Sequence, residues 1–436
     1  MKNIEELLNK AGKFYFDLKS DGHIDELSGN LRKDNNRYEL YIDCDIEFFR
    51  RISKLRGRGI NVKGIIEGTE VTLYNSYVRK TSFVLRSATC MESYSATICP
   101  DKIVIGISSL TGIQVKEIEA TLLPLNRFFV EAPVLFEGPT KDDPTFLKYN
   151  QSKNLKAEDD LKEIECVNDI SVKHSVNEFI VQFEPLGICI FKKSLELSKA
   201  ITEFASLRNL FTFLGDRCVP LREFLVVVEG NIRCQVLLNF SDPSDNQTSP
   251  FVISSAVIAD NFETIWDRWI NFYHKSHSIT TLFFEIICNR STGINYFLNL
   301  TQSLEIYSRQ YREKEAQKVR ERLKEKSLTL RHRFIDLLED TNCILNIASD
   351  KIKQLAANIA DARNYYTHYD SGKFNMPSFN FLDSASLLLR CLLLCIVYRI
   401  IGISDNDIKD RLLKHQQYVS VDCSITDILN EKIRKK

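Results

Sequence analysis

Arg363-Asn364-Tyr365-Tyr366-Thr367-His368 is the stretch whose reading decides the rest of this chain. It lies near the end of a long helical pattern, in a protein with only 7 His. Arginine carries a permanent cationic fork that fits a phosphate. Histidine is the side chain whose charge changes near neutral pH. Asn364 and His368 are four apart, so a helix puts them on one face a turn from each other, with Arg363 one residue round. A cation, an amide and a titratable base brought together in this way suit metal-free RNA cleavage.

The surrounding sequence is helical. From Asn261 onward, apolar residues recur at three and four. A first helix carries Trp266, Trp269 and Phe272. A second starts after Gly293 and continues through Phe297, Leu300, Leu304 and Tyr307. A very polar run follows to about Lys326. A third helix is expected from Leu328 to Leu338 and a fourth from about Ser349 to Tyr369, ended by Asp370-Ser371-Gly372. Phe381 to Ile401 is a long apolar helix against which the fourth should pack, so a helical bundle is expected. Its apolar run from Leu387 to Ile401 contains Arg390 and Arg399. It reads as too short and too charged to span a bilayer, and therefore as a buried helix.

Residues 1 to about 136 read differently. Tyr38, Leu40, Ile42, Cys44 and Ile46 alternate with Glu39, Tyr41, Asp43 and Asp45, the period of a half-buried strand. Further strands are expected at Phe14 to Leu18, Val62 to Ile66, Thr69 to Tyr74, Ser93 to Ile98, Ile103 to Ile107 and Gln114 to Leu122. Gly68 fits a hairpin turn. A sandwich or barrel-like domain follows, suited to recognition. A polar stretch from Glu137 to about Lys162 reads as a loop or linker. Strands resume at Asn177 to Phe183 and Gly187 to Ile190. A helix then runs from Leu197 to a Gly215 stop, followed by a hairpin around Gly230-Asn231. The fold class is thus α+β: a β-rich N-terminal domain (1–136), a mixed connector (137–257) and a helical domain (258–436).

Composition narrows the function. At 436 residues the chain exceeds one ordinary core. Its formal net charge is zero, so any RNA binding must use a local patch. The 12 Cys show no CxxC pair and read as reduced, mostly buried thiols of a cytoplasmic protein. The N-terminus, Met1-Lys2-Asn3-Ile4-Glu5-Glu6, lacks the apolar core of a signal peptide. There is no Walker phosphate loop, no GxSxG elbow and no HExxH.

The Arg-Asn-x-x-x-His string resembles the signature of HEPN ribonucleases, helical bundles that act as toxins and defence effectors. Ile66-Glu67-Gly68-Thr69-Glu70-Val71-Thr72-Leu73 resembles the β-rich N-terminal domain of the ApeA-like HEPN proteins of bacterial phage defence. Phe297-Leu298-Asn299-Leu300 through Leu304-Glu305 resembles the helix that opens their HEPN part. The resemblance implies a metal-independent endoribonuclease of abortive infection that uses no cofactor and cuts RNA, with tRNA one candidate. The ribose 2′-OH would attack the adjacent phosphate, His368 would move the proton, and Arg363 would stabilise the phosphoryl oxygens, leaving a 2′,3′-cyclic phosphate. It also implies a homodimer through the helical domain and no membrane. The N-terminal domain would receive a phage-encoded trigger. Two alternatives stand beside it: a non-catalytic HEPN module that binds RNA or a nucleotide, and a phage-protein sensor that acts through the N-terminal domain.

Each candidate has a plain reading too. His368 could be a cation closing a helix C-terminus. Arg363 could pair with Asp361 or Asp370. Asn364 would orient His368 or touch the phosphate, or be solvated. Tyr365, Tyr366 and Tyr369 could stack on bases, or lie in the core. Residues 309–333 hold ten basic residues and four Glu, an excess of six positive charges. Arg320, Arg322, Lys324 and Lys326 there could bind RNA, or belong to an exposed helix laced with ion pairs. Glu305 could reach the cleft as an auxiliary group. His274, His277 and Cys288 are the one metal-like grouping; a fourth ligand is missing, so no metal is expected.

Overall fold

The computed structural model describes residues 3–18, 24–34, 37–55, 57–86, 91–122, 125, 128–129, 134–135, 148–149, 153–174, 179–221, 223–239, 251–288, 293–369 and 372–434. The first layer comprises β1 (Ala11–Asp17), β2 (Ile24–Asp34), β3 (Arg37–Cys44), β4 (Ile60–Ile66), β5 (Thr69–Arg86) and β6 (Met91–Cys99). All pairings are antiparallel. β5 is 18 residues long: its start pairs with β4, and its far end, Tyr77–Arg86, pairs with β6. The ring β1-β2-β3-β6-β5-β4 therefore closes into a six-stranded barrel, which removes the open edges of a sheet. Alternation puts Phe14, Phe16, Leu40, Ile42, Val62 and Leu73 inside. Two short helices, α1 (Ile4–Leu7) and α2 (Ile46–Ser53), add Ile4, Leu7, Phe48 and Ile52 to the same core. Glu67 (φ 48°) and Gly68 (φ 77°) form the two-residue β4–β5 turn expected of Gly68. The strand expected to run to Ile46 stops at Cys44, because the Asp45 side chain caps α2 by accepting from Phe48 N–H at 2.7 Å.

The start of β5 also pairs with β7 (Lys102–Ile105), and the ladder leaves the barrel there. β8 (Gln114–Thr121) is followed by a two-residue ribbon, β9 (Val134–Leu135) with β10 (Lys148–Tyr149). Next come β11 (Leu155–Glu158), β12 (Lys162–His174), β13 (Phe179–Glu196), β14 (Glu223–Val228) and β15 (Arg233–Leu238). From the barrel outward the order is β7-β15-β14-β8-β13-β12-β11. The β14–β15 turn contains Gly230 (φ 84°) and Asn231 (φ 60°), the hairpin its sequence announces. The stretch read as a loop to Lys162 is partly a strand. In β11 Leu155 and Ala157 are buried while Lys156 and Glu158 face out, so its polar letters are the open face of an edge strand. The Glu137 to Pro144 part of that stretch lies outside the described residues.

α3 (Leu197–Gly215) packs on β8 and β13 with one side and on helices with the other, so it is buried almost all round. The helical layer comprises α4 (Ser255–Ile258), a 3₁₀ turn (Ala259–Asn261), α5 (Phe262–Lys275), α6 (His277–Cys288), α7 (Gly293–Tyr311), α8 (Glu313–Arg322), α9 (Leu330–Asp340), α10 (Asn342–Leu345), α11 (Ser349–His368), α12 (Phe379–Ile401), α13 (Asp405–Leu412) and α14 (Val421–Asn430). α12 is its axis and packs on α5, α7 and α14. It is longer than the Leu387–Ile401 run suggests. With a window of mean hydropathy 2.0, it is long and apolar enough to cross a membrane by length and composition. Yet 78% of that window is buried against its neighbours, which makes it the core helix of the bundle. Fully burying each of its leucines contributes about 1.5–3 kcal/mol.

One continuous apolar core runs from Val104 to Ile433, shared by the open sheet, α3 and the helices. A buried polar knot sits inside it. Asp216, 0% exposed and left-handed (φ 50°), ends α3. Arg390 of α12 donates Nε–H to Asp216 Oδ1 at 2.7 Å and an Nη2–H to its carbonyl at 2.9 Å. The Tyr418 hydroxyl donates to Asp216 Oδ2. Burial pushes the Asp216 carboxyl up, against the Arg390 charge and the Tyr418 bond, which pull it down.

Candidate active site

α11 forms because Ile352, Leu355, Ala356, Ile359, Ala360, Ala362 and Tyr366 make one apolar stripe, which packs on α9, α14 and α7. It ends at Tyr369, a left-handed residue (φ 49°) whose N–H reaches the Tyr365 carbonyl at 2.7 Å. The hexapeptide is thus the last turn and a half of a helix held on three sides. At 100° per residue Arg363 continues the packed stripe toward α7, while Asn364 and His368 turn to the side.

That placement decides the pairing of Arg363. Its Nη2–H donates to Glu305 Oε2 of α7 at 3.2 Å, and its Nη1 lies 3.4 Å from Asn364 Oδ1, a long contact. Arg309, one turn on from Glu305, donates Nη2–H and Nε–H to Glu305 Oε1 at 2.7 and 3.1 Å. Asp361, offered as a partner for Arg363, instead feels Arg434 and Arg331, and burial raises its pKa. Asp370 lies outside the described residues. His368 is exposed and its side chain makes no hydrogen bond among the described residues. Its position in the last turn puts any charge it takes up at the favourable end of the helix dipole.

The tyrosines separate cleanly. Tyr366 is buried, its hydroxyl donates to the Pro377 carbonyl at 3.3 Å, and its ring meets that of half-buried Tyr365 edge-on at 5.1 Å. Tyr369 is 74% exposed. The Pro377 contact also sets Met376 and Phe379, both exposed, beside the end of α11.

The basic segment is largely self-paired. Arg312 is bonded to Asp336 and Asp340, Arg320 to Glu321, Arg322 to Glu339, Arg331 to Glu325 and Arg333 to Glu313. Lys324 and Lys326 are exposed and carry no ion pair among the described residues. His274 and His277 are exposed beside the Tyr273 ring, and Cys288 is buried. Among the described residues no three His, Cys, Asp or Glu stand together as metal ligands would.

Glu305, Arg363 and Asn364 thus meet at the end of α11 that also carries His368. Residues 298–407 match the family described as Apea-like HEPN, an interval that holds all four residues. HEPN domains are generally ribonuclease domains. Residues 9–269 match ApeA N-terminal domain 1, from just ahead of β1 into α5. The chain therefore belongs to the ApeA-like HEPN family, and that membership supports a HEPN-type defence effector. No curated protein and no solved structure matches it.

Sequence reading left Arg309 among ten basic residues and did not pair it with Glu305. The i,i+4 spacing from Glu305 was the available signal. It also missed Asp216, whose partners lie 174 and 202 residues away.

Proposed function

We propose that the protein is a metal-independent endoribonuclease effector of phage defence. The observation that supports this reading is the convergence of Arg363, Asn364 and Glu305 at the end of α11, one turn from exposed His368, within the HEPN-matched segment. In this reading a ribose 2′-OH attacks the adjacent phosphate and His368 moves the proton, a contribution of roughly 10²–10⁴-fold. Arg363 offers its N–H groups to the charge that builds on the phosphoryl oxygens. The products are a 2′,3′-cyclic phosphate and a 5′-OH, and DNA, which lacks the nucleophile, is not cut. Two copies pair through the helical domain and face their motifs into one cleft. The barrel receives a phage-encoded trigger.

The test uses the purified full-length chain on RNA. His368→Ala and Arg363→Ala are expected to lose cleavage by roughly 10²-fold or more while keeping the fold. Arg363→Lys recovers little, because the planar fork is gone. Cleavage survives excess EDTA, since the hexapeptide supplies no carboxylate cluster for Mg²⁺. Wild-type rates in His368→Ala, or activity lost in EDTA and restored by Mg²⁺, would overturn the reading.

A further inference from the structure

Between α7 and α11 one carboxylate holds two arginines. Glu305 Oε2 takes Arg363, and Oε1 takes Arg309 through two N–H groups. The Glu305 side chain is 16% exposed, against 28% for Arg363 and 61% for Arg309. The acid therefore lies deepest and the two guanidinium groups flank it toward solvent. The trio carries one net positive charge. Arg312, Arg322 and Arg333 of the same basic segment are committed to acids of α8 and α9. Arg309 is the segment's one member that shares a partner with the hexapeptide among the described residues.

We infer that Arg309 and Arg363, yoked by Glu305, form a two-cation seat for neighbouring phosphates of one RNA strand. The inference rests on the ribonuclease reading above. Arg363 takes the scissile phosphate and Arg309 the next one. Bonding to one carboxylate keeps the two forks side by side, and each retains N–H groups for a second acceptor. Glu305 is a positioning residue: it acts on RNA only by fixing where the forks point. It also lowers the local charge, so it weakens non-specific attraction while sharpening geometry.

The test has two arms. Binding of a short single-stranded oligoribonucleotide is titrated over a range of salt, in the full-length His368→Ala chain so that the RNA stays intact. Adding Arg309→Ala should lower the slope of log affinity against log salt by roughly 0.7, the loss of one phosphate contact, and Arg309→Lys should restore it. Cleavage is then measured in chains that keep His368. Glu305→Gln removes the charge and keeps the shape. It should lower kcat roughly ten- to a hundredfold through misplaced forks, with KM unchanged or lower. An unchanged slope in an Arg309→Ala protein with wild-type melting overturns the seat. So does a Glu305→Gln protein that cuts as fast as wild type or faster, since Glu305 would then only obstruct Arg363. If wild type cuts no RNA, the ribonuclease reading fails while the salt slope still judges the seat. If wild type cuts and the slope does not move, the reading stands and the seat fails.

Discussion

Arg390→Ala should be among the most damaging single substitutions in this protein, although Arg390 touches no residue of the hexapeptide. It deletes the Nε–H bond to Asp216 Oδ1 at 2.7 Å, the bond to the Asp216 carbonyl at 2.9 Å and the bond to the Tyr296 hydroxyl at 2.8 Å. Asp216 is wholly buried and, among the described residues, would keep the Tyr418 hydroxyl on its carboxylate and the electrostatic influence of His415. Removing one partner of a buried pair costs roughly 3–5 kcal/mol, because the surviving charge is left uncompensated. The reverse comparison sharpens the argument. Asp216→Asn tolerates the left-handed backbone, and Arg390→Met fills the space with apolar atoms. The double variant should lie within about 2 kcal/mol of wild type, because neither charge then has to be stripped of water. Urea unfolding followed by tryptophan fluorescence reads this directly, since both Trp266 and Trp269 sit in the shared core. A loss under about 1 kcal/mol in Arg390→Ala, or a double variant as unstable as the sum of the singles, would refute the reasoning.

Tyr369→Ala should weaken single-stranded RNA binding by roughly 1–3 kcal/mol, the worth of one base stack, whereas Tyr366→Phe should change melting and leave affinity alone; equal affinities for wild type and Tyr369→Ala in a binding titration would contradict this. His332 is buried, and its Nδ1 accepts from Thr329 N–H at 3.0 Å at the start of α9. Burial lowers its pKa. Its contribution is therefore fully present above the ordinary imidazole range near about 6.5 and is lost as pH falls through the lowered value. Melting temperature should drop on acidification below about pH 6.5, and His332→Gln should flatten that drop. Within the basic run, Lys324→Glu together with Lys326→Glu should lower the salt slope of RNA binding by roughly 0.7 per contact, while Arg322→Glu, whose side chain already serves Glu339, should change it less.

The elements with the strongest period were legible. β1, β3 and β4 alternate, α3 and α11 repeat at three and four, and the Gly68 and Gly230 turns announce themselves, because each signal is local. The short helices were not. α2 begins inside an alternating run, and its start is marked only by Asp45. Barrel closure could not be read either, since it depends on which half of β5 meets β6. At the site, the spacing of Arg363, Asn364 and His368 placed them on one helix end. Sequence could not say that Arg363 turns to Glu305 rather than to Asp361, because that choice is made by the packing of α7 on α11.

The shared core has a consequence for the natural history of such chains. An exchange of N-terminal halves between relatives would bring in a foreign α3 and strand Arg390 and Tyr418 opposite an unmatched residue. The Phe213–Phe283 stack, with centroids 3.9 Å apart, would lose its fit as well. The open sheet and the bundle must therefore drift together, each change on one side answered on the other. The barrel is tied more lightly. Its core is a second cluster, joined to the rest through Ile103 and Ile105 of β7, Leu237 of β15 and buried Asn239, which bonds the N–H and carbonyl of Tyr38, so away from that seam it can be remodelled at its own pace. If the barrel receives the trigger, as proposed above, variation should gather in the first hundred residues while the seam between α3 and α12 stays still.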